Sequence, residues 1–387
     1  MKRKFLKRNA GGATLLCLCL SFTAATVAGQ AARHARRVAQ SRTTPALFPV
    51  SKGGKWGFMD AGGRVVIPAR FDNVAGFSEG LARVTLGGRP GFVNARGEVV
   101  LRPKFDQVGS FQEGLAFVEN GWTTIKNIGI TAEPGRWGFV DKAGRLAVPL
   151  KFTRADSFSE GLAPVQMARR LGERSGFIDR TGRVRIEFPF DVSWGFSEGL
   201  ALVRSNGAMF YLDHAGRKLP TPKIDDYEAR PFSEGLAAVQ IKGEWGYIDK
   251  TGRLVIAPQF DDAGDFYEGL AAVKVTVDES RYVTCPMDEQ GATRTSTKIY
   301  GYIDRTGRFV VPPRFEYAGP FSEGLANVSN CSKLAFVDKT GATVLSLPFD
   351  DASPFHGGLA AVMRFELGGA LTGYVDKTGK VVWKPAR

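Results

Sequence analysis

The chain has 387 residues, a formal net charge of +13, and 47 Gly, 20 Pro, 28 Phe and four Cys. Residues 1–42 hold nine Lys or Arg (2, 3, 4, 7, 8, 33, 36, 37 and 42) and no Asp or Glu, and subtracting them leaves +4 over the remaining 345 residues. A surplus that small gives no basic stripe for a phosphate backbone, which excludes nucleic acid as a partner.

The first element is a leader. Lys2, Arg3, Lys4, Lys7 and Arg8 form a basic start, residues 13–27 are apolar, and small residues around Ala28 and Ala31 offer a cleavage point. The apolar run is short for a membrane span of about 20 residues. Residues 1–31 therefore read as a signal peptide and 32–45 as a linker, with an uncleaved anchor as the alternative. Lys2-Arg3-Lys4-Phe5-Leu6-Lys7 also bears a weak likeness to a twin-arginine export signal. Cys17 and Cys19 lack the small residue that precedes a lipoprotein cysteine, and read as apolar filler. The expectation is a periplasmic or secreted protein that meets a membrane only through its leader, if that stays uncleaved.

Beyond the leader, three distances recur. A Gly in a Trp-Gly-like pair precedes the Phe of a Phe-Ser-Glu-Gly pattern by 20 residues: Gly57/Phe77, Gly91/Phe111, Gly138/Phe158, Gly176/Phe196, Gly246/Phe266, Gly301/Phe321 and Ala335/Phe355. One unit, Phe210/Phe232, takes 22. That Phe precedes the Val of a Leu-Ala-x-Val pattern by 7, as in Phe77/Val84. The joint from this Val to the next Gly absorbs all the slack, at 7, 20, 11, 7, 7, 28, 7 and 11 residues. Fixed distances with one variable joint mark tandem structural copies.

One copy shows the predicted elements. Trp245-Gly246-Tyr247-Ile248-Asp249 alternates and reads as a strand. Asp249-Lys250-Thr251-Gly252 is a turn, with Asp accepting local N–H bonds and Gly supplying positive φ. All nine copies keep this Asp or Asn with Gly three residues later, from Asp60/Gly63 to Asp376/Gly379. Arg253-Leu254-Val255-Ile256 is the next strand, which Pro258 is expected to end. Asp265-Phe266-Tyr267-Glu268-Gly269 reads as a short strand or turn. Leu270-Ala271-Ala272-Val273 is apolar on both faces, as in a strand covered on both sides, and its alanines imply a close neighbouring sheet. Helical periodicity is absent.

Lys55-Trp56-Gly57-Phe58, Arg136-Trp137-Gly138-Phe139-Val140-Asp141 and Glu244-Trp245-Gly246-Tyr247-Ile248-Asp249, each followed by Phe-Ser-Glu-Gly-Leu-Ala-like runs, resemble the WG-repeat (KWG-repeat) proteins of bacteria. The resemblance spans about residues 47–385. Ser175, Tyr300, Leu334 and Thr372 replace the Trp, and Met209-Phe210 loses both letters. It implies an all-β repeat domain over 46–387, of about nine units, usually without an assigned enzymatic activity. It supplies no catalytic residues.

Counting the degenerate Leu47-Phe48-Pro49-Val50, there are nine strand-and-turn sets and eight Phe-Ser-Glu-Gly-like segments. The expected fold is all-β, a tandem repeat of small antiparallel sheets forming a β-propeller of eight four-stranded blades, with the N-terminal set overlapping or closing the ring. An open β-solenoid with frayed ends is the alternative.

Up-and-down strands put the slack joint and the joint between copies on one edge, where loops are free to grow. The longest are 119–136, with Trp122, and 275–298, with Arg281, Tyr282 and Cys285. Trp122, Arg281 and Tyr282 are the candidate binding contacts; solubilising inserts are the bland alternative. Cys285 and Cys331 fall in the slack joint of consecutive copies and are candidates for a disulfide, with two free thiols as the alternative. The recurrent Glu79, Glu113, Glu160, Glu198, Glu234, Glu268 and Glu323 serve the copy, as carboxylates bonded to turn N–H groups, rather than catalysis. His34, His214 and His356 have no zinc-ligand spacing, and no nucleophile elbow, phosphate loop or dinucleotide fingerprint occurs. No cofactor or metal is expected. Copy-specific polar residues reduce to His214, Tyr227 and Glu228, with His214 in a turn slot held elsewhere by Lys or Arg. The expected function is an exported, non-catalytic scaffold binding a protein or glycan of the cell envelope. The alternatives are a propeller-type hydrolase or lyase with a central pocket, or a spacer.

Overall fold

Each copy becomes a sheet because two kinds of tight turn recur at fixed offsets along alternating apolar sequence. In the second copy, strands Asn73–Ser78, Leu81–Leu86, Arg89–Asn94 and Val99–Leu101 pair antiparallel in chain order. The Ser-Glu-Gly-Leu segment is a two-residue hairpin: Ser159 and Leu162 exchange N–H···O bonds of 2.9 and 3.2 Å, with Glu160 and Gly161 at φ 53 and 82. Both central residues lie in the left-handed region, as in a type I′ turn. At the Asp-x-x-Gly turn, Asp249 Oδ1 accepts the N–H groups of Thr251 (2.8 Å) and Arg253 (3.1 Å), and Gly252 adopts φ 82. Where the slack joint is shortest it is another such hairpin, as at Lys242-Gly243 (φ 55 and 85).

The computed structural model describes residues 46–102, 104–121, 136–169, 172–225, 228–278, 283–285, 294–331, 333–366 and 369–386. Among these there is no helix, and the strands form nine principal antiparallel sheets in chain order. We number them as blades 1–9. Blade 1 has three strands, Phe48–Lys52, Lys55–Met59 and Val65–Phe71, and blade 9 ends with Val381–Ala386. Blade 7 carries an additional two-stranded sheet, Val283–Cys285 with Arg294–Ser296, inside its long insert.

One expectation is corrected within the sheet. The strand holding Pro258 does not stop there but runs Leu254–Phe260. Trp245 pairs with Phe260 and Tyr247 with Ile256, so the residues around Pro258 bulge opposite Gly246. A bulge is where a strand tolerates a residue with no N–H. It also explains the Gly of the Trp-Gly pair: a Cβ on Gly246 would lie 2.6 Å from Ile256 O and 2.7 Å from Pro258 N. Blade 8, with Ala335 in that slot, pairs Ala335 with Ser346 and Phe336 with Leu345 without that bulge.

The sheets close into a nine-bladed β-propeller, which replaces the expected count of eight and removes the open solenoid. Eight joints share one contact, in which the third-strand aromatic of a blade meets the Phe of the next blade's Phe-Ser-Glu-Gly turn. Phe58–Phe77 through Phe336–Phe355 have centroids 4.7–5.1 Å apart. Such a pair contributes about 0.5–1.5 kcal/mol beyond area burial. At the ninth joint, blade 1 has no first strand among the described residues, and the sequence before it has no Phe-Ser-Glu-Gly segment. Phe48 fills the gap from the second strand, in the slot where other copies carry a fully buried Ala, and packs on Tyr374 of blade 9 at 5.6 Å. Val50 and Met59 of blade 1 join Leu359 and Tyr374 of blade 9 in one apolar cluster. The degenerate N-terminal set is thus a blade of its own, with three strands among the described residues.

Candidate ligand-binding edge

The two edges of the ring differ in how their polar groups are used. On the edge that holds the Ser-Glu-Gly and Asp-x-x-Gly turns, the repeated glutamates join neighbours. Gly114 N–H donates to Glu79, Gly161 to Glu113, Gly199 to Glu160, Gly235 to Glu198, Gly269 to Glu234, Gly324 to Glu268 and Gly358 to Glu323, at 2.8–3.1 Å. In each case the Gly belongs to the following blade. These glutamates do bind turn N–H groups, but of the next copy rather than their own. Each also sits at φ 50–53, a backbone cost of about 1–2 kcal/mol that the inter-blade bond offsets.

The basic slot of the Asp-x-x-Gly turn completes the clasp. Lys142, Lys250, Lys339 and Lys377 lie 3.1–3.2 Å from Glu79, Glu198, Glu268 and Glu323 of the preceding blade. Burial pushes the Glu79, Glu198 and Glu323 carboxyls up, but the lysine hydrogen bonds and the glycine N–H groups outweigh it and hold them below the ordinary value. His214 occupies the same slot: Nε2 lies 3.4 Å from Glu160, and its ring stacks on Phe196 at 4.1 Å. Its role is therefore that of the lysines.

The opposite edge carries the variable joints and the inserts, and cavities lie there, including a small one of about 100 Å³ between blades 4 and 5 whose Arg154 and Asp156 also line a larger one beside it. First-strand residues of blades 2, 3 and 4 meet around one of about 460 Å³, beside the Gly87-Gly88 hairpin. Arg83, Asp106, Gln107, Arg154 and Asp156 supply its polar groups, and Phe117 and Trp137 an aromatic wall, with centroids 5.4 Å apart. Phe117 and Trp137 belong to the two strands that the 119–136 insert connects. A second cavity, of about 580 Å³, lies over blades 7–9 beside the other long insert. Of its charged groups, Lys298 pairs with Asp261, Glu316 accepts Ser296 Oγ (2.6 Å) and Cys331 N–H (2.6 Å), and Asp350 accepts Phe365 N–H (2.6 Å) through one oxygen, while Lys274 lies over the Tyr300 ring at 5.0 Å. In the first cavity, by contrast, Gln107 and Arg154 make no side-chain hydrogen bond or ion pair with any described residue, and Arg83 donates to Val108 O alone (3.1 Å).

Trp122, Arg281, Tyr282 and Tyr227 lie outside the described residues, as does the side chain of Cys285. Cys331 is disulfide-bonded and sits at φ 51. Glu228 is half-buried in the first-strand region of blade 6, where its backbone carbonyl accepts Gln240 N–H (2.8 Å).

Blades 6 and 7 hold a polar group that spacing did not single out. Arg230 lies 3.5 Å from Asp262 and over the Trp245 ring at 5.5 Å, and Asp262 accepts the Tyr300 hydroxyl at 2.9 Å. Burial, with that bond, pushes Tyr300 up to about 12. Burial also raises the Asp265 carboxyl, against the Arg230 charge, and its Oδ1 and Arg230 Nε are buried without hydrogen-bond partners. The signal was present in the sequence: the two slots before the Phe are mostly Gly, Ala, Ser or Pro in the other copies, and Arg230 and Asp265 depart from that.

A closed ring of like sheets, with shared clasps on one edge and inserts on the other, defines a repeat β-propeller. The chain belongs to the WG-repeat family: the model described as WG containing repeat matches residues 56–89, 91–121, 137–168, 176–207, 211–245, 245–276, 300–330 and 335–364. No curated protein matches the sequence. Among solved structures, the fold is similar to "Crystal structure of the eukaryotic initiation factor", with a TM-score of 0.58, 11% identity, and coverage of 87% of this chain and 94% of that one. The tricorn protease structure aligns over 87% of this chain and 39% of its own, at 12% identity and a TM-score of 0.26. At such identity the first similarity concerns the fold alone.

Proposed function

We propose that the protein is an exported, non-catalytic scaffold that binds a protein or glycan of the cell envelope through its insert-bearing edge. One observation carries this reading: the cavity of blades 2–4 keeps unspent hydrogen-bonding groups, whereas the repeated polar groups of the other edge are used up in joining blades. Loops and copy-specific residues on a rigid repeat frame are the usual seat of recognition. Neither nucleic acid nor a cofactor enters this reading, and a membrane does so only through an uncleaved leader. Export also makes an oxidised Cys285–Cys331 pair reasonable, stabilising by about 3–4 kcal/mol; two reactive thiols beyond those of the leader would speak against it.

The test replaces the 119–136 insert by a Gly-Gly hairpin like that of blade 2. Retention on isolated envelope fractions should fall while the thermal midpoint holds, and unchanged retention would refute the edge as the recognition surface. N-terminal sequencing of protein recovered outside the cytoplasm tests export and cleavage together.

The second reading, a hydrolase or lyase with a central pocket, is favoured by the orphaned Asp265 Oδ1 and Arg230 Nε. Perturbed acids beside a specific charge partner concentrate at functional sites, though structural networks produce them too. Hydrolysis of any envelope polysaccharide that Asp265→Asn abolishes would move the assignment to this class.

A further inference from the structure

We propose that the cavity of blades 2–4 is a carbohydrate site, selective for a neutral glycan. This rests on the recognition-edge reading and narrows it. The charges cancel at neutral pH, Arg83 and Arg154 against Asp106 and Asp156, so neither an anion nor a cation is singled out. What the site offers is a mixture of unspent donors and acceptors. Arg154 and Gln107 are unengaged among the described residues. Asp106 accepts Gly121 N–H through one oxygen (3.0 Å), and Asp156 accepts Ser157 N–H through one (2.7 Å), which leaves each carboxylate a second oxygen.

Vicinal sugar hydroxyls match such a set, since each is both donor and acceptor and adjacent pairs span a guanidinium or carboxylate fork. The apolar C–H face of a pyranose needs a flat partner, and the half-buried Trp137 beside Phe117 provides one. A volume of about 460 Å³ lies within the usual range for small-ligand sites. A protein partner fits less well. Its interface centre would be apolar and aromatic, yet the exposed large apolar side chains lie mostly on fourth strands, as at Val65, Val99 and Leu254, and none lines this cavity.

The experiment titrates the full chain with neutral oligosaccharides of glucose, galactose and N-acetylglucosamine, with uronate oligosaccharides, and with acidic and basic peptides. Binding is read by calorimetry and tryptophan fluorescence. A neutral oligosaccharide should bind and shift the fluorescence. Its affinity should fall about tenfold in Arg154→Ala, which removes one charge-assisted bond, and less in Gln107→Ala, with little change on raising salt. Both side chains bond to no described residue, so the variants should keep the parent thermal midpoint. Failure of every neutral oligosaccharide to bind overturns the proposal, as does neutral-sugar binding that both variants leave unchanged. Preference for a uronate or peptide, lost in Arg154→Ala, also overturns the ligand class while leaving the edge reading in place. The edge reading fails separately, through the insert replacement.

Discussion

The joint between blades 5 and 6 and the joint between blades 9 and 1 solve the same packing problem with different parts. At the first, Phe232 meets Tyr211 at 4.9 Å, Glu198 accepts Gly235 N–H at 2.8 Å, and Lys250 lies 3.1 Å from Glu198. At the second the Phe-Ser-Glu-Gly segment reads Phe355-His356-Gly357-Gly358, the glutamate is gone, and the turn of blade 1 has Ala61 where lysine would stand. Both halves of the clasp are missing together. The reason is space: a Cβ on Gly357, itself at φ 58, would meet Ala46 Cβ and the Phe48 ring at 3.1 Å. The joint between blades 1 and 2 follows the same rule, since blade 1 has no such glutamate and blade 2 has Ala95 in the lysine slot. The clasp is a property of a joint rather than of a copy. The seam relies on apolar contact through Phe48.

The largest effect should come from the seam itself. Phe48→Ala empties its aromatic contact, at about 3–5 kcal/mol by analogy with buried aromatic truncations. Urea unfolding should register that loss, and scattering should show an enlarged radius if the ring opens. A cost below about 1 kcal/mol would mean that Phe48 does not hold the joint.

Next is the bulge. Gly246→Ala drives a methyl into Ile256 O and Pro258 N and should cost about 1–3 kcal/mol in chemical denaturation. Ala335→Gly in unbulged blade 8 should cost no more than about 1 kcal/mol. Equal costs would detach the Trp-Gly glycine from the bulge.

The clasp is the third arm. Glu198→Gln keeps a hydrogen-bond acceptor but removes the lysine pair, whose partners are partly exposed (31% and 45%), so about 1 kcal/mol or less is expected. The acid limb follows from direction. Glu79, Glu198 and Glu323 are depressed when folded. Their stabilisation is complete above the unfolded value of about 4.3 and is lost as pH falls through the folded values. The seam has no such glutamate, so acid should narrow the difference between the joints. Stability that is flat through this window in the parent, or that falls as steeply in Glu198→Gln, would contradict the clasp. Smallest of all, His214→Lys restores the repeat residue and should change stability within about 0.5 kcal/mol.

Much of this architecture was legible because strand and turn identity are local. The Asp249 turn, the Leu-Ala-x-Val strand and the shared insert edge follow from residue type and alternation. The blade count was not, because Phe48 occupies an alanine slot and stands in for a first strand that the first copy does not show among the described residues. The strand through Pro258 also escaped, since a bulge depends on the glycine opposite. Most of the candidate site was invisible. Several of its residues sit on first strands as short as Arg154–Ala155 and gather from three blades only through ring closure. Trp122 and Tyr282 stand out in the sequence because they lie in long loops, whereas Arg154 and Gln107 lie in a short slot whose only signal is that it changes from copy to copy.

Hydrogen exchange resolved to individual amides tests the central claim most directly, namely that the ring is closed and that its joints are unequal. Amides of Phe48–Lys52 at the seam should open at lower free energy than Gly235, Gly269 and Gly324, whose N–H groups bond to the neighbouring glutamates. Equal protection across these sites, or earlier opening of a clasped joint, would contradict it.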